Sequence, residues 1–308
     1  MRDAFAAITV APALCSSPAH RSMDRTAPAM NRRAVTPILL ACLLTTSTPA
    51  LPRSEPAPLR VASSVEGVVV TSLLSLPKAP ADPGERELCA HFLKTPQSAA
   101  GRQVSAAGWA VTSEARIGRF QAVGFAGRFT QGTSGSCEIA AGNVGIFDGE
   151  TLRAIVYAPK TSARSIGRAV PFGRDGLRLW DGGLLPLPLA DLRLDGADGL
   201  GVVPLAPLET FCDGKSLVPN VYSQPITRAR EALRQLGWNP VKGPAPDHPQ
   251  SREAELMKRG VVEVDGCSGT GFGYCSYGYE SPAATLSLAT VGDADDPAVS
   301  SYDVRCRR

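Results

Sequence analysis

The stretch Val144-Gly-Ile-Phe-Asp-Gly-Glu-Thr-Leu-Arg-Ala-Ile-Val-Tyr157 decides the fold class of this chain. Two apolar runs, Val144–Phe147 and Leu152–Tyr157, flank the dipeptide Asp148-Gly149. Such a dipeptide between apolar runs is a strong hairpin signal, because its residues tolerate the positive φ angles of a tight turn. The stretch therefore predicts two antiparallel strands inside a β-rich region.

The same character extends over residues 85–218. Val104–Thr112 and Phe120–Phe129 carry aromatic and β-branched residues, and a second Asp-Gly dipeptide, Asp181-Gly182, follows Leu177–Trp180. Abundant Gly and Pro are typical of short strands joined by irregular loops. We predict a β-rich sandwich or irregular barrel over residues 85–218, with one short helix near Glu85–Leu93.

Residues 219–308 carry sequence signals of helices, which are followed by signals of further strands. Pro225–Gly237 places Ile226, Ala229, Leu233 and Leu236 on one helix face, and Ser251 can cap a second short helix that ends at Arg259. Four strand-like runs follow: Val261–Asp265, Tyr274–Glu280, Thr285–Val291 and Val299–Cys306. We predict a small domain of one or two helices on an antiparallel sheet, so the chain is mainly β and α+β overall.

Motifs in this second region resemble a small C-terminal module of uncharacterised bacterial envelope proteins. They are Ala229-Arg-x-x-Leu-x-x-x-Gly-Trp238, Glu263-Val-x-x-Cys-Ser-Gly-Thr-Gly271 and Cys275-x-Tyr-x-Tyr279. The helix followed by Gly and an aromatic residue is also similar to PASTA domains, whose known members bind cell-wall fragments. PASTA domains do not normally carry these cysteines, so their ligand is not transferred to this chain.

The N-terminus has the order of a secretory signal. Met30-Asn-Arg-Arg33 is positive, residues 34–44 are mostly apolar, and Thr48-Pro-Ala50 supplies small residues for cleavage. The apolar run is shorter than the ~20 residues that a membrane span needs. We expect a leader at 1–50 with its start at Met30, a Pro/Ala-rich tether at 51–84, and a periplasmic or secreted mature protein without a membrane span. A low-complexity N-terminus is the alternative to a signal.

Leu39-Leu-Ala-Cys42 resembles a bacterial lipobox, so an outer-membrane lipoprotein anchored at Cys42, with a purely structural role, is another alternative. Beyond residue 50, six cysteines remain, and an even set behind an export signal is typical of a disulfide framework. Spacing does not fix the connectivity. We expect the pairs Cys89–Cys137, Cys212–Cys306 and Cys267–Cys275, one of which joins the two halves of the chain.

Charge and composition disfavour several classes of partner. Residues 61–308 hold 25 basic and 26 acidic residues, without a basic cluster, so nucleic acid is not an expected partner. Only His91 and His248 lie beyond the leader, and there is no Cys-x2-Cys pair. We therefore expect neither a metal nor another cofactor.

One loop has the composition of a catalytic site. Gly132-Thr-Ser-Gly-Ser136 resembles the nucleophile loop of chymotrypsin-like serine proteases, and Cys89-Ala-His91 resembles their histidine loop. That mechanism also needs a carboxylate to orient the histidine, but no Asp lies between His91 and Ser134. A plain loop leading into Cys137 is the expected role, and a secreted serine hydrolase using Ser134 is the alternative.

The combined signals favour an exported envelope protein that binds an envelope protein or a cell-wall glycan without catalysis. Trp238, Tyr277 and Tyr279 are the candidate binding surface, because the two tyrosines share one strand face. Packing in the core is the other role for that face. A junction held by a disulfide between the two domains would also offer a preformed surface.

Overall fold

The computed structural model describes residues 58–162, 164–269 and 271–307. The expected leader, its start at Met30 and the lipobox at Cys42 lie outside the described residues. The first twelve strands of the described residues form a sandwich and one separate hairpin: β1 (Arg60–Ser63), β2 (Val69–Ser72), β3 (Ala110–Ile117), β4 (Phe120–Ala126), β5 (Arg128–Gln131), β6 (Cys137–Ala140), β7 (Asn143–Asp148), β8 (Thr151–Tyr157), β9 (Ile166–Phe172), β10 (Gly176–Asp181), β11 (Pro188–Leu194) and β12 (Gly199–Val203).

The sandwich has two five-stranded sheets. The first has the order β2-β8-β7-β4-β3 and the second the order β1-β12-β11-β10-β9, while β5 and β6 form a separate hairpin. Among the strands that the structure describes in this part, β1 and β12 form the one parallel pair. At the sandwich edges β3 lies against β9 and β1 against β2. The expected hairpin is present as β7–β8, with Gly149 at a φ of 61° in its turn.

Alternating side chains of the two sheets meet to form the main core. Ile146 and Val156 enter it from the first sheet, and Leu179 and Leu192 enter it from the second. Leu59 and Val68 are buried in the same core. The part of the expected tether from Arg60 to Ser72 therefore forms two strands of the sandwich, because its apolar side chains complete the core.

Each sheet is also covered on its outer face. Helix α1 (Ala99–Ala106) packs Val104 and the following Trp109 against Phe125 and Phe147 of the first sheet. The expectation of a strand from Val104 was wrong, because Ser98 caps a helix there and β3 begins only at Ala110. Near Glu85–Leu93 the chain forms turns and a 3₁₀ turn at Ala90–Phe92. Other 3₁₀ turns lie at Thr133–Gly135 and Cys212–Gly214.

The outer face of the second sheet is covered by the C-terminal part of the chain. Its elements are β13 (Leu208–Phe211), β14 (Ser216–Pro219), α2 (Ile226–Gln235), β15 (Asn239–Pro240), α3 (Arg252–Lys258), β16 (Val264–Cys267), β17 (Cys275–Glu280), β18 (Ala284–Val291) and β19 (Ala298–Cys306). β13 and β14 form a hairpin, and β15-β17-β18-β19 form an antiparallel sheet in which β16 also pairs with β17. The predicted mainly β, α+β fold is confirmed, in its sandwich form.

Both helices of this part begin where the sequence indicates. Ser251 caps α3 by accepting a hydrogen bond from the Ala254 backbone N–H, at 3.3 Å. Helix α2 buries Ile226, Ala229 and Leu233. Leu236, expected on the same face, is exposed instead, because it caps the helix just before the turn.

A buried ion cluster joins this part to the sandwich. Arg178 of β10 donates two hydrogen bonds to the Asp191 carboxylate, from Nε at 2.9 Å and from Nη2 at 3.2 Å. The same Nη2 lies 2.6 Å from Glu209 Oε1, and Tyr302 Oη donates to Glu209 Oε2 at 2.7 Å. The two carboxylates raise the pKa of Arg178 against the effect of its burial, so the guanidinium stays charged. This cluster fixes β13 and β19 on the second sheet.

Candidate functional site

A cavity of about 740 Å³ opens where β3 and β9 meet. We call it the edge cavity and define it by its five ionisable side chains, which are His91, Lys94, Glu114, Arg168 and Asp181. Apolar atoms from Phe92, Ile139 and Val170 line it as well. Its walls therefore combine charges of both signs with an apolar surface.

An irregularity in β3 shapes this edge. Val111 pairs with Phe125 and Ser113 with Gly124, which leaves Thr112 as the extra residue of a β-bulge. Ser113 Oγ then accepts a hydrogen bond from the Ala169 backbone N–H of β9, at 2.9 Å. A Cβ on Gly124 would lie 2.2 Å from Ser113 Oγ, so this hydroxyl position requires glycine opposite it. The two sheets are thus joined at one point beside the cavity.

Glu114 lies in the cavity wall and is held at the start of α1. Its carboxylate accepts backbone hydrogen bonds from Gln97, at 2.7 Å, and from Ser98, at 3.1 Å, and a further bond from the Ser98 hydroxyl. Burial raises the pKa of Glu114, but these hydrogen bonds outweigh it and the net pKa is lowered. The carboxylate is therefore charged, and its oxygens are already bonded.

Asp181 is bonded in a similar way at the end of β10. Its Oδ1 accepts hydrogen bonds from the backbone N–H groups of Gly183 and Leu187, both at 3.1 Å. Burial raises the pKa of Asp181 more than these hydrogen bonds lower it. The role of this aspartate is to hold the turn that leads from β10 to β11.

The basic side chains differ from the acids. Arg168 places its guanidinium 5.4 Å from the centre of the Trp180 ring, a cation–π distance. Across the described ranges, neither Arg168 nor Lys94 has a side-chain hydrogen bond or ion pair. Partial burial lowers the pKa of Arg168, as expected when water is removed without an acidic partner.

The structure brings His91 beside the Ser134 loop. The disulfide Cys89–Cys137 connects the two segments, and His91 Nε2 donates to the Gly135 carbonyl oxygen at 2.7 Å. Ser134 is exposed, with a φ of 52°, and a Cβ built on Gly271 would lie 2.9 Å from its Oγ. His91 thus donates its hydrogen bond to a backbone carbonyl. A serine nucleophile would instead require a hydrogen bond between the serine hydroxyl and this histidine.

The three aromatic residues of the candidate binding surface are buried in the C-terminal core. Trp238, Tyr277 and Tyr279 are each 1% exposed. Trp238 Nε1 donates to the Leu217 carbonyl at 2.7 Å, and Tyr279 Oη donates to Glu263 Oε1 at 2.8 Å. They therefore do not form an exposed surface, and core packing is the role that they take.

The structure joins Cys89 to Cys137, Cys212 to Cys306 and Cys267 to Cys275, which are the pairs favoured by the sequence. The described residues contain no cluster of His, Cys, Asp or Glu side chains that could hold a metal ion. Within the same ranges, no helix is both long and apolar enough to cross a membrane.

Sequence reasoning considered part of the edge cavity without recognising a site. The sequence indicates Asp181 only as a turn residue and does not indicate Glu114 or Arg168. A signal was present in β9, where the exposed Arg168 directly precedes the core residue Ala169. Comparisons with models of protein families, with curated proteins and with solved structures found no match to this chain.

Proposed function

We propose that this protein is exported to the cell envelope and binds a cell-wall fragment in the edge cavity without catalysing a reaction. The observation that carries the proposal is the cavity itself. Its volume of about 740 Å³ lies within the range of small-molecule sites, roughly 300–1,000 Å³, and such sites also combine apolar walls with a few polar groups. A small cell-wall fragment fits into such a cavity better than the surface of a folded protein does.

The three disulfides support the expected location. Structural disulfides form and persist in oxidising compartments such as the periplasm or the exterior. The near balance of charge after residue 60 gives no reason to expect nucleic acid as the partner. Export, the envelope location and the ligand remain parts of the proposal.

The arrangement at Ser134 supports binding rather than hydrolysis. A serine nucleophile needs a hydrogen-bonded base, but His91 Nε2 is occupied by the Gly135 carbonyl. The charged groups of the edge cavity that could act as acids are held by backbone N–H groups at the ends of α1 and β10. They are positioned to maintain the shape of the cavity.

The substitution Thr95→Trp tests the site. Thr95 is exposed and lines the cavity, so a tryptophan there should occupy the space of the ligand. The full chain, exported to the periplasm, is dialysed to equilibrium against a muramidase digest of purified cell-wall sacculi, and retained fragments are measured by mass spectrometry. We expect retention by the wild type and a loss of at least about tenfold in Thr95→Trp, a difference of about 1.4 kcal/mol.

Thr285→Trp is the matched control, since Thr285 is exposed on β18 outside the cavity. It should retain fragments as the wild type does. Retention of nothing by the wild type, or equal retention by Thr95→Trp, would contradict the proposal. Labelling by a fluorophosphonate probe that disappears in Ser134→Ala, but not in Ser136→Ala, would show catalysis instead of simple binding.

A further inference from the structure

We propose that the edge cavity selects ligands with a free carboxylate and that Arg168 is the residue that holds it. This inference rests on the proposed function and adds the chemical class of the ligand. The shared chemistry is an organic carboxylate attached to a partly apolar group. In a cell-wall fragment, the carboxylate can belong to a peptide or to an acidic sugar.

The first argument is the state of the charges in the cavity. Both oxygens of Glu114 accept hydrogen bonds at the start of α1, and Asp181 Oδ1 accepts two backbone hydrogen bonds within its turn. Lys94 and Arg168 have no such side-chain partners in the part of the chain that the structure describes. The two cations without such a partner, Lys94 and Arg168, therefore favour an anionic group in the cavity.

The second argument is the chemistry of the Arg168 guanidinium. This group lies over Trp180, and Trp180 packs edge-on against Tyr222 with ring centres 5.9 Å apart. Tyr222 in turn stacks on Tyr302, at 4.6 Å. The guanidinium has no side-chain hydrogen bond or ion pair within the described ranges, so its N–H groups are available to a ligand. That planar fork matches both oxygens of a carboxylate, which a lysine ammonium cannot do.

The apolar part of the wall accounts for the rest of the ligand. Phe92, Ile139, Val170, Pro171 and Pro186 line the same space. Methyl and methylene groups of a ligand that bind there are removed from water. Their burial adds affinity but does not select for the charge of the ligand. Specificity for the carboxylate therefore depends on Arg168.

Two matched pairs of probes test this inference by isothermal titration calorimetry at low salt. The first pair is N-acetyl-Ala-Ala with a free carboxylate and the same dipeptide as its C-terminal amide. The second pair is N-acetylmuramic acid and N-acetylglucosamine, which differ by a lactyl carboxylate. We expect the acid of at least one pair to bind at least about tenfold more tightly than its neutral partner, and the pair that discriminates identifies the source of the carboxylate.

Arg168→Gln should remove that preference, and Arg168→Lys should restore only part of it, because an ammonium lacks the planar fork. Arg174→Gln is the matched control, since Arg174 is highly exposed at the β9–β10 turn and outside the cavity. Thermal unfolding checks that each variant is folded. A folded Arg168→Gln that keeps the full preference would overturn the assignment.

Failure of this inference can be told apart from failure of the proposed function. Equal binding of acid and neutral probes by the wild type, or binding of none of the four, would overturn carboxylate selection. If the wild type still retains cell-wall fragments and Thr95→Trp does not, the cavity is a binding site for another class of ligand. If the digest is not retained either, the proposed function fails as well.

Discussion

At the scale of single residues, the ion cluster of Arg178, Asp191 and Glu209 bears most on stability. All three side chains are at most 3% exposed, so each charge depends on the others for the interactions that water would otherwise provide. The structure pairs Arg178 with Asp191 on neighbouring strands, and Glu209 reaches them from β13. Their meeting attaches the C-terminal part to the sandwich.

Replacing Arg178 with methionine should leave two buried carboxylates with one fewer cation. Breaking a buried charge network in this way typically costs about 3–5 kcal/mol, whereas losing an exposed pair costs about 0–1 kcal/mol. Urea unfolding of Arg178→Met and of Arg174→Gln measures both quantities. A loss in Arg178→Met that does not exceed the loss in Arg174→Gln would contradict a structural role for the cluster.

At the scale of elements, helix α1 is the clearest case of a short element fixed by its first residues. Ser98 Oγ accepts from the Gly101 backbone N–H at 2.9 Å, and Glu114 of β3 binds the preceding N–H groups. The helix has only eight residues, too few for apolar periodicity to distinguish it from a strand. Its cap and the carboxylate of a neighbouring strand decide its position beside the edge cavity.

Ser98→Ala should destabilise the protein by about 0.5–2 kcal/mol at neutral pH, the usual cost of a lost N-cap. Because folding lowers the pKa of Glu114, the ionised carboxylate stabilises the folded protein. This stabilisation is present above the ordinary glutamate pKa of about 4.3 and is lost as the pH falls through the pKa of Glu114 in the folded state. The variant lacks the Ser98 hydroxyl bond to this carboxylate, so its deficit should shrink on acidification. Urea unfolding at neutral and acidic pH measures this change.

Ser105→Ala is the control for that experiment, because Ser105 is exposed within the same helix. It should change stability little at either pH. A deficit in Ser98→Ala that is the same at both pH values would show that Glu114 does not contribute through this hydrogen bond.

At the scale of the whole molecule, three disulfides close loops of very different length. Cys212–Cys306 spans 94 residues and ties the β13–β14 hairpin to the last strand, whereas Cys267–Cys275 spans 8 residues. The chain-entropy model predicts that the stabilisation grows with the length of the closed loop. The long closure should therefore stabilise the fold of the C-terminal part more than the short one does.

Peptide mapping under non-reducing conditions should recover the pairs Cys89–Cys137, Cys212–Cys306 and Cys267–Cys275. Replacing both members of Cys212–Cys306 with alanine should cost about 4.7 kcal/mol, against about 2.5 kcal/mol for Cys267–Cys275. Urea unfolding compares the two double variants. Recovery of another pair, or a larger loss from the short loop, would contradict this arrangement.

The sequence by itself determined the elements whose signals lie within a few residues. Asp148-Gly149 specifies the β7–β8 hairpin, Pro225 and Gly237 bracket α2, and Ser251 begins α3. Turn conformation and capping depend on neighbouring backbone groups, so these features can be predicted from the chain alone.

Only the tertiary structure decided which faces are covered and which residues meet. Tyr277 and Tyr279 share a strand face in the sequence pattern, but the packing of α2 and the sheet makes that face a core. The edge cavity likewise joins residues from His91 to Pro186, through a bulge and two sheet edges. Burial depends on contacts between segments far apart in the chain, and no local signal carries that information.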